Sequence, residues 1–469
     1  MHFKTSSDPT CNPYLALTMM LSSGLDGVKN KLGAPASVNV DIFQMTPQEK
    51  DAADGVMKTT HWTWAGEQMI DGKKVTRGKQ NVMNNFCISV KSNEPRCTSC
   101  HIGYGWKDDS FDFTDKTKVD CLVCHDTTGT YTKPATGAGM PDAKVDLLKV
   151  AQNVGLPERD DCLNCHANGG GGNNVKHGDI DTSLLEPTKD VDFHMGTDSL
   201  DFTCQECHVT EGHQISGSSL MVSPNNTNQV TCEQCHDSDP HSESLLNTHS
   251  AAVACQTCHI PAFAKVHGTK MTWDWSASEK RPKDKVIEKD DHGHQVYIAK
   301  KGRFTYEDNV APEYRWYNGT AGAYGFGDKI DPTQVTPLNY PLDDINDKNA
   351  KIMPFKVHRG KQPYDTTHNY FITPKVWGPK GDKEAYWVNY KKIGAEAAWP
   401  VAAAAGMKAN GLDFSGNVGF APTESYWAIN HMVAEADKAL GCLDCHGDNA
   451  RLDWKQLGYK GDPMKVGSR

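Results

Sequence analysis

Fourteen of the sixteen cysteines stand in pairs separated by two residues, and a histidine follows the second cysteine of every pair. This CxxCH pattern occurs seven times, whereas chance predicts on the order of 0.02 occurrences in a chain of this composition. The pairs are Cys97 and Cys100, Cys121 and Cys124, Cys162 and Cys165, Cys204 and Cys207, Cys232 and Cys235, Cys255 and Cys258, and Cys442 and Cys445. Only Cys11 and Cys87 lie outside the pattern.

The pattern is typical of covalent haem attachment. Two thiols three residues apart match the two vinyl groups on one edge of a porphyrin, and the adjacent histidine binds the iron from below. The alternative is a set of zinc ribbons, but zinc knuckles need no histidine after every second cysteine. We therefore predict seven haems c. Their proximal ligands are His101, His125, His166, His208, His236, His259 and His446.

The remaining histidines supply candidates for the second axial position. An electron-transfer haem usually takes a second histidine, which keeps the iron six-coordinate and closed to substrate. Of the twenty histidines, those that lie near the motifs and among aromatic or helical residues are the best candidates. The predicted distal ligands are His61, His194, His213, His241, His249 and His431.

The amino-acid composition indicates what fills the core around these ligands. Hydrophobic residues make up only 38% of the chain and the mean hydropathy is −0.60, so porphyrin plates must fill much of the core. We predict a mainly α fold with extensive loops and a few short strands, wrapped around a haem core. The net charge of −10 argues against nucleic-acid binding, and no apolar run reaches the length of a membrane span. Covalent haem attachment implies export, to the periplasm or beyond.

The spacing of the motifs divides the chain into four segments. Residues 1–60 form a divergent N-terminal segment, and residues 61–268 carry six motifs. Residues 269–420 carry none and are predicted to be a cap or interface region, mostly irregular, with a hairpin in "HQVYIAKKGRFTY". Residues 421–469 include "ESYWAINHMVAEADKALGCLDCH", for which we predict an amphipathic helix leading to the last motif.

Four longer strings are more specific than any single CxxCH: "KTTHWTW", "VMNNFCISVKSNEPRCTSCHIGYGWKDDSFDF", "VDCLVCHDTTGTY" and "GGGGNNVKHGD". Together they resemble the octahaem tetrathionate reductases, which are periplasmic multihaem enzymes. The resemblance extends from about His61 to the C-terminal "CLDCH". In that family one haem is catalytic and carries a lysine from the glycine-rich loop as its distal ligand.

The resemblance implies which residues form the catalytic site. The catalytic haem would be attached at Cys97 and Cys100 above His101, with Lys176 as the distal ligand and Cys87 in the same pocket. Glycines in the loop before Lys176 would allow a close approach to the porphyrin. For Lys176 the alternative is a solvated loop lysine. For Cys87 it is a structural thiol or a disulfide with Cys11.

This chain departs from the family pattern in two places. The family has an eighth CxxCH before the "HWTW" segment, and here the equivalent stretch has no cysteine. The family also has an acid three residues before the lysine, where this chain has Asn173, so a charge or proton donor is weakened. His177, the neighbour of Lys176, remains a competing ligand for the same iron.

The resemblance implies a reductase that passes electrons through bis-histidine haems to the lysine-ligated one. The expected reaction splits tetrathionate into thiosulfate, with nitrite or hydroxylamine as further possible substrates and a redox protein or quinol-linked donor as partner. Lys176 would bind iron only as a neutral amine, and a Cys87 thiolate would be able to attack sulfur. The alternative function is a non-catalytic electron conduit in which every haem has two histidines.

Overall fold

The computed structural model describes residues 47–70, 73–84, 88–220, 229–280 and 286–467. Cys11, Cys87 and most of the predicted N-terminal segment lie outside these residues. The chain forms two compact units. The first contains the described residues up to Trp64 together with Glu94–Cys165 and Thr203–Ile215, and the second contains Ala65–Asn93, His166–Phe202 and Ser216–Arg469.

Most helices are one or two turns long. They are α1 (Pro47–Met57), α2 (Thr60–Thr63), α3 (Glu94–Cys97), α4 (Leu122–His125), α5 (Leu147–Ala151), α6 (Arg159–His166), α7 (Cys204–Cys207), α8 (Ser244–His249), α9 (Cys255–His259), α10 (Tyr386–Ile393), α11 (Ala395–Ala409), α12 (Cys442–Cys445) and α13 (Pro463–Val466). Six of them contain at least one motif cysteine, and a 3-10 turn at Cys232–Gln234 serves the remaining motif. A helical turn places residues three apart on one face, so both cysteines point the same way in the four motifs whose two cysteines are helical, within α6, α7, α9 and α12.

The strands are β1 (Gly66–Ile70), β2 (Lys73–Arg77), β3 (Thr210–Glu211), β4 (Gln214–Ile215), β5 (Thr269–Asp274), β6 (Ile287–Lys289), β7 (Gln295–Ile298), β8 (Gly302–Glu307), β9 (Glu313–Tyr317), β10 (Ala321–Ala323), β11 (Thr336–Pro341), β12 (Lys351–Asp365), β13 (Tyr370–Phe371) and β14 (Val418–Ala428). The first four make two small antiparallel pairs, and the other ten form one sheet in the second unit. Its order is β10-β11-β14-β12-β5-β8-β7-β6, with β9 and β13 also paired to β12.

Strand β12 is the centre of this sheet. It pairs antiparallel with β14 over eleven positions, from Phe355 opposite Ala428 to Asp365 opposite Val418, and parallel with β5. Successive side chains of a strand point to opposite faces. Phe355 and Val357 therefore enter one hydrophobic cluster, while the intervening Lys356 is buried on the other face.

The sheet changes the predicted architecture of residues 269–420. We expected mostly irregular chain with a few short strands, and the structure has a ten-stranded mixed sheet there. The predicted hairpin is confirmed, since β7 and β8 pair antiparallel. The predicted C-terminal helix is wrong: residues up to Ala428 belong to β14, and only Cys442–Cys445 is α-helical before the last motif histidine. Pairing with β12 buries Tyr426 and Trp427, which an isolated helix would expose on one side.

Among the described residues, no helix is long and apolar enough to cross a membrane.

Candidate haem-binding sites

Two motif histidines of the first unit lie beside a second histidine. The ring centroids of His125 and His213 are 6.4 Å apart. Burial lowers the pKa of His61, and the charge of His208 lowers it further, so these two imidazoles are also neighbours. His61 and His213 are both among the predicted distal ligands.

Four motif histidines of the second unit are paired in the same way. The centroid distances are 6.4 Å for His166 and His177, 6.0 Å for His236 and His194, 6.1 Å for His259 and His241, and 6.3 Å for His446 and His249. Five of the six histidines that lie beside a motif histidine are among the predicted distal ligands. The exception is His177, which the sequence analysis treated as a competitor for the iron of His101.

These distances fit a metal ion bound between two rings. A metal–nitrogen bond of about 2 Å, with the ring centroid about 1 Å further away, separates two opposed imidazole centroids by about 6 Å. Several of the rings also have Nδ1 held by an oxygen. The Nδ1 contacts are Gly155 O for His125 at 2.7 Å, Leu245 O for His249 at 2.8 Å, Asn247 Oδ1 for His241 at 3.1 Å and Asp462 Oδ1 for His446 at 2.6 Å. A hydrogen bond at Nδ1 leaves Nε2 to bind metal, so the residues present fit haem.

The motif cysteines fit thioether attachment as well, and none of the fourteen forms a disulfide. Thiols from different motifs lie close together in each unit. In the first unit Cys165 neighbours Cys100, and in the second unit Cys258 neighbours Cys445. The first motif therefore contacts the third, so spatial order differs from chain order.

His101, the predicted proximal ligand of the catalytic haem, is fully buried in a box of aromatic rings. The rings belong to Trp62, Trp64, Trp106, Phe111 and Phe113, with centroids 4.9–6.0 Å from that of His101. Its Nε2 shares a 2.7 Å hydrogen bond with the carbonyl oxygen of Trp62. Ligation of iron through Nε2 would require this hydrogen bond to be exchanged for the metal bond.

A buried polar network holds the backbone of His101. The Lys133 ammonium donates to the His101 carbonyl oxygen at 2.7 Å and forms a 2.7 Å ion pair with Asp120. Asp120 also accepts hydrogen bonds from the hydroxyls of Tyr104 and Tyr131, at 2.9 and 2.7 Å. Burial and the charge of Asp120 raise the pKa of both tyrosines far above the usual range, so they remain donors.

The glycine-rich loop that carries Lys176 has an unusual backbone. Gly170, Gly171 and Gly172 have φ angles of 80°, 144° and 132°, a region that side chains disfavour. The backbone conformation therefore favours glycine at these three positions, a requirement that the sequence did not reveal. Its approach to a porphyrin remains a prediction.

The next residue of this loop, His177, has well-defined neighbours. The His177 ring contacts His166 and packs edge-on against Trp427 at 4.8 Å. Burial lowers the pKa of His177 to about 4, although the nearby Asp179 opposes that shift. The imidazole is therefore neutral at pH 7, which is the form that binds metal. The position beside His166 favours a role for His177 at the haem of that motif, whereas the sequence left His177 as a competitor of Lys176 for one iron.

Two other predicted site residues have contacts of their own. The Nδ1 of His431 hydrogen-bonds to Asp179 Oδ2 at 3.1 Å. We predicted His431 as the sixth distal histidine, but the sixth histidine that lies beside a motif histidine is His177. The Asn173 amide donates to Thr182 Oγ1 at 2.7 Å, and its oxygen accepts from the Thr182 backbone at 3.0 Å. Asn173 thus closes a turn within the loop.

Lys356, which lies on β12 far along the chain from the loop, is not among the residues predicted from the sequence. It is fully buried and donates to the backbone of that loop. Its only signal in the sequence is a lysine within the apolar stretch "KIMPFKVH", where a buried strand disfavours a charge.

Covalent attachment motifs with paired histidines define a class of protein, the multihaem c-type cytochromes. Comparison with known proteins agrees. The family model "Cytochrome c bacterial" matches residues 270–449. A solved structure, that of an octahaem cytochrome c from Shewanella oneidensis, is 55% identical, with a TM-score of 0.81 and coverage of 89% of this chain and 92% of that one. The chain belongs to the family of this multihaem cytochrome c, and its cofactor is haem c.

A different family matches the start of the chain. The model of the glutamine synthetase catalytic domain matches residues 4–96. Glutamine synthetases from Methanococcus voltae and Staphylococcus aureus (strain MRSA252) are 39% identical over 87 residues and 40% identical over 91 residues. Each alignment covers 19% of this chain and 20% of the relative, so the chain spans about a fifth of the length of these curated relatives. Residues 4–46, 71–72 and 85–87 of the match lie outside the described part of the chain.

Proposed function

We propose that the chain is a multihaem reductase in which six bis-histidine haems pass electrons to a seventh haem held by His101 and Lys176, where tetrathionate is reduced. The observation that carries the proposal is the position of His177 beside His166. Because His177 is engaged there, its neighbour Lys176 is the side chain that the loop can offer to another haem.

The six histidine pairs support the electron-transfer half of the proposal. Each pair of neutral imidazoles would hold one haem, and a haem held in this way would supply electron transfer without binding substrate. The haem supplies the redox chemistry, and the residues around it keep the imidazoles oriented and neutral. Neighbouring cysteines of different motifs, such as Cys100 and Cys165, keep successive haems of one unit close.

Lys176 supports the catalytic half because its amine can be in two states. As a neutral amine, Nζ would be able to hold a haem iron, and as an ammonium it would not. A protonated Lys176 that has moved aside would still attract an anionic substrate. A second imidazole has neither property, since it holds the metal more firmly and is neutral at pH 7.

Asn173 favours tetrathionate over nitrite and hydroxylamine. Splitting the central S–S bond of tetrathionate into two thiosulfates consumes two electrons and no proton. Reduction of nitrite or hydroxylamine consumes protons, which a site with an acid at this position could supply. Asn173 is neutral and its amide already bonds to Thr182, so it provides no proton. The attack of a Cys87 thiolate on sulfur remains a prediction, because Cys87 lies outside the described residues.

Export to the periplasm and a redox protein or quinol-linked donor belong to the same proposal. Covalent attachment of haem c takes place after export, and the electrons for the reaction must come from outside the chain. The same sites would also serve a second function, a non-catalytic electron conduit, if all seven haems carried two histidines.

The test is the substitution Lys176→Met in the holoprotein. We expect one haem to change its electron paramagnetic resonance and near-infrared magnetic circular dichroism signals, and kcat for tetrathionate to fall by roughly two orders of magnitude. The substitution Lys189→Met is the control, because that lysine pairs with Glu435 at the surface. Unchanged spectra and turnover in Lys176→Met would refute the assignment, and seven bis-histidine signals in the parent protein would establish the conduit.

A further inference from the structure

The side chain of Lys356 is fully buried and has a complete set of hydrogen-bond acceptors. Its Nζ donates to the carbonyl oxygen of Lys176 at 2.7 Å, to that of Val175 at 3.1 Å and to Thr269 Oγ1 at 2.5 Å. An ammonium group has three donors, so the three acceptors satisfy it entirely. Burial lowers the pKa of Lys356 to about 7, although the charge of Asp179 opposes that shift.

The two carbonyls bracket the Cα atom of Lys176. The Val175 carbonyl belongs to the peptide group that links Val175 to Lys176. The Lys176 carbonyl belongs to the peptide group that links Lys176 to His177. One side chain on β12 therefore holds both peptide planes that determine where Lys176 and His177 point. Both residues are proposed axial ligands, and they belong to different haems.

Other contacts extend the same clamp along the loop. Thr269, which accepts from Lys356, donates its own hydroxyl to the Asn174 carbonyl oxygen at 2.7 Å. Gly178 has a φ of 95°, and a Cβ atom there would lie 3.2 Å from the Lys356 side chain and 2.8 Å from Phe263. The loop backbone is thus packed directly on the lysine, with no room for a side chain between them.

Packing alone does not account for a lysine at this position. Its neighbours on β12, Phe355 and Val357, are buried in a hydrophobic cluster on the opposite face, so the strand runs through the interior at this position. Burying an ammonium group costs several kcal/mol unless its hydrogen bonds are made, and a methionine would fill a similar volume without that cost. The compensating interactions all go to the loop backbone and to the threonine that supports it.

From this geometry we propose that Lys356 is a positioning residue. By holding the peptide group before Lys176 and the one between Lys176 and His177, it directs these two side chains towards their two haems. The inference rests on the proposed function for the role of Lys176. Lys356 touches neither substrate nor haem in this role, and it acts through the backbone of the loop.

The distinguishing consequence is that two haems respond together. Removing Lys176 itself should alter one haem. Removing the ammonium of Lys356 frees the shared backbone, so the lysine-ligated haem and the haem held by His166 and His177 should both change. Turnover should also fall, because a misplacement on the scale of 1 Å costs up to about a hundredfold in rate.

The experiment compares Lys356→Met with Lys270→Met in the holoprotein. Lys270 is a matched control: it is buried on the adjacent β5, and its ammonium lies over the rings of Phe304 and Trp273, at 3.6 and 4.4 Å. We expect Lys356→Met to shift the resonance signals of two haems and to lower kcat by roughly tenfold or more. We expect Lys270→Met to leave both signals in place. A folded, fully haem-loaded Lys356→Met protein with unchanged signals would overturn the proposal, as would equal shifts in the two variants.

A milder substitution covers the case in which Lys356→Met does not assemble. Thr269→Val removes one acceptor of Lys356 and the hydrogen bond to Asn174 while preserving side-chain shape. Smaller shifts of the same two haems would support the clamp, and no shift would refute it. The Lys176→Met protein separates the two hypotheses. If it changes no haem, the proposed ligand fails, and if it changes one while Lys356→Met changes none, only the positioning role fails.

Discussion

Buried lysines hold the backbone at both residues proposed to ligate the catalytic haem. In the first unit Lys133 donates to the carbonyl of His101, and in the second unit Lys356 donates to that of Lys176. The cost of burying the ammonium group is offset differently in the two lysines. Lys133 has the carboxylate of Asp120, whereas the acceptors of Lys356 within the described part of the chain are all neutral. An ion pair is the stronger anchor and also the costlier one to break.

We therefore expect Asp120→Asn to destabilise the protein by about 3 kcal/mol or more, because it leaves the ammonium of Lys133 buried without its counter-charge. The measurement is the free energy of unfolding from chemical denaturation followed by far-ultraviolet circular dichroism. Asp448→Asn is the control, since Asp448 is 96% exposed and its ion pair contributes little. A difference of less than about 1 kcal/mol between the two variants would contradict the structural role of the buried pair.

At the scale of elements, β12 connects the sheet with the loop. Its middle carries Lys356, and its end is closed by a turn around Asp365, whose side chain is fully buried. Burial raises the pKa of Asp365, but backbone N–H groups of Ser415 and His368 donate to the carboxylate at 2.7 and 2.9 Å. These hydrogen bonds outweigh burial, so the net pKa is well below that of an ordinary aspartate.

A depressed pKa in the folded state predicts the direction of a pH effect. The carboxylate contributes stability above about pH 4, its unfolded value, and that contribution is lost as the pH falls towards the folded pKa. We expect Asp365→Asn to lose about 2 kcal/mol at pH 7 and to show a shallower decline in stability between about pH 4 and pH 2. The measurement is the unfolding free energy across that range. Parallel curves for parent and variant would exclude this role of Asp365.

At the scale of the whole molecule, the number of haems and their ligation are the quantities to measure. We expect the intact mass of the mature protein to correspond to seven haems, because seven CxxCH motifs are present. The double substitution of Cys97 and Cys100 by serine should reduce the mass by one haem and remove the lysine-ligated signal. An eighth haem in the parent protein would contradict the count, since only Cys11 and Cys87 remain to bind it.

Much of the site could be predicted because its chemistry is local. Five contiguous residues suffice to attach a haem and to supply one axial ligand, so the motif cysteines and proximal histidines follow from spacing alone. The fold was less predictable. Strand β12 and strand β14, which ends in "ESYWA", pair along most of their length, and neither shows its partner in its own pattern.

The CxxCH motifs alone predict the haem chemistry of this protein, with two candidate thioether cysteines and an adjacent histidine in each motif. How these local units are completed is visible in the fold. It placed His177 beside His166 and brought Lys356 from a distant strand to the backbone of Lys176. A distal histidine and a lysine that holds a loop backbone both act through contacts that a local sequence pattern does not encode. Strand pairing and burial, which involve residues far apart in the chain, select them among many histidines and lysines that look alike in sequence.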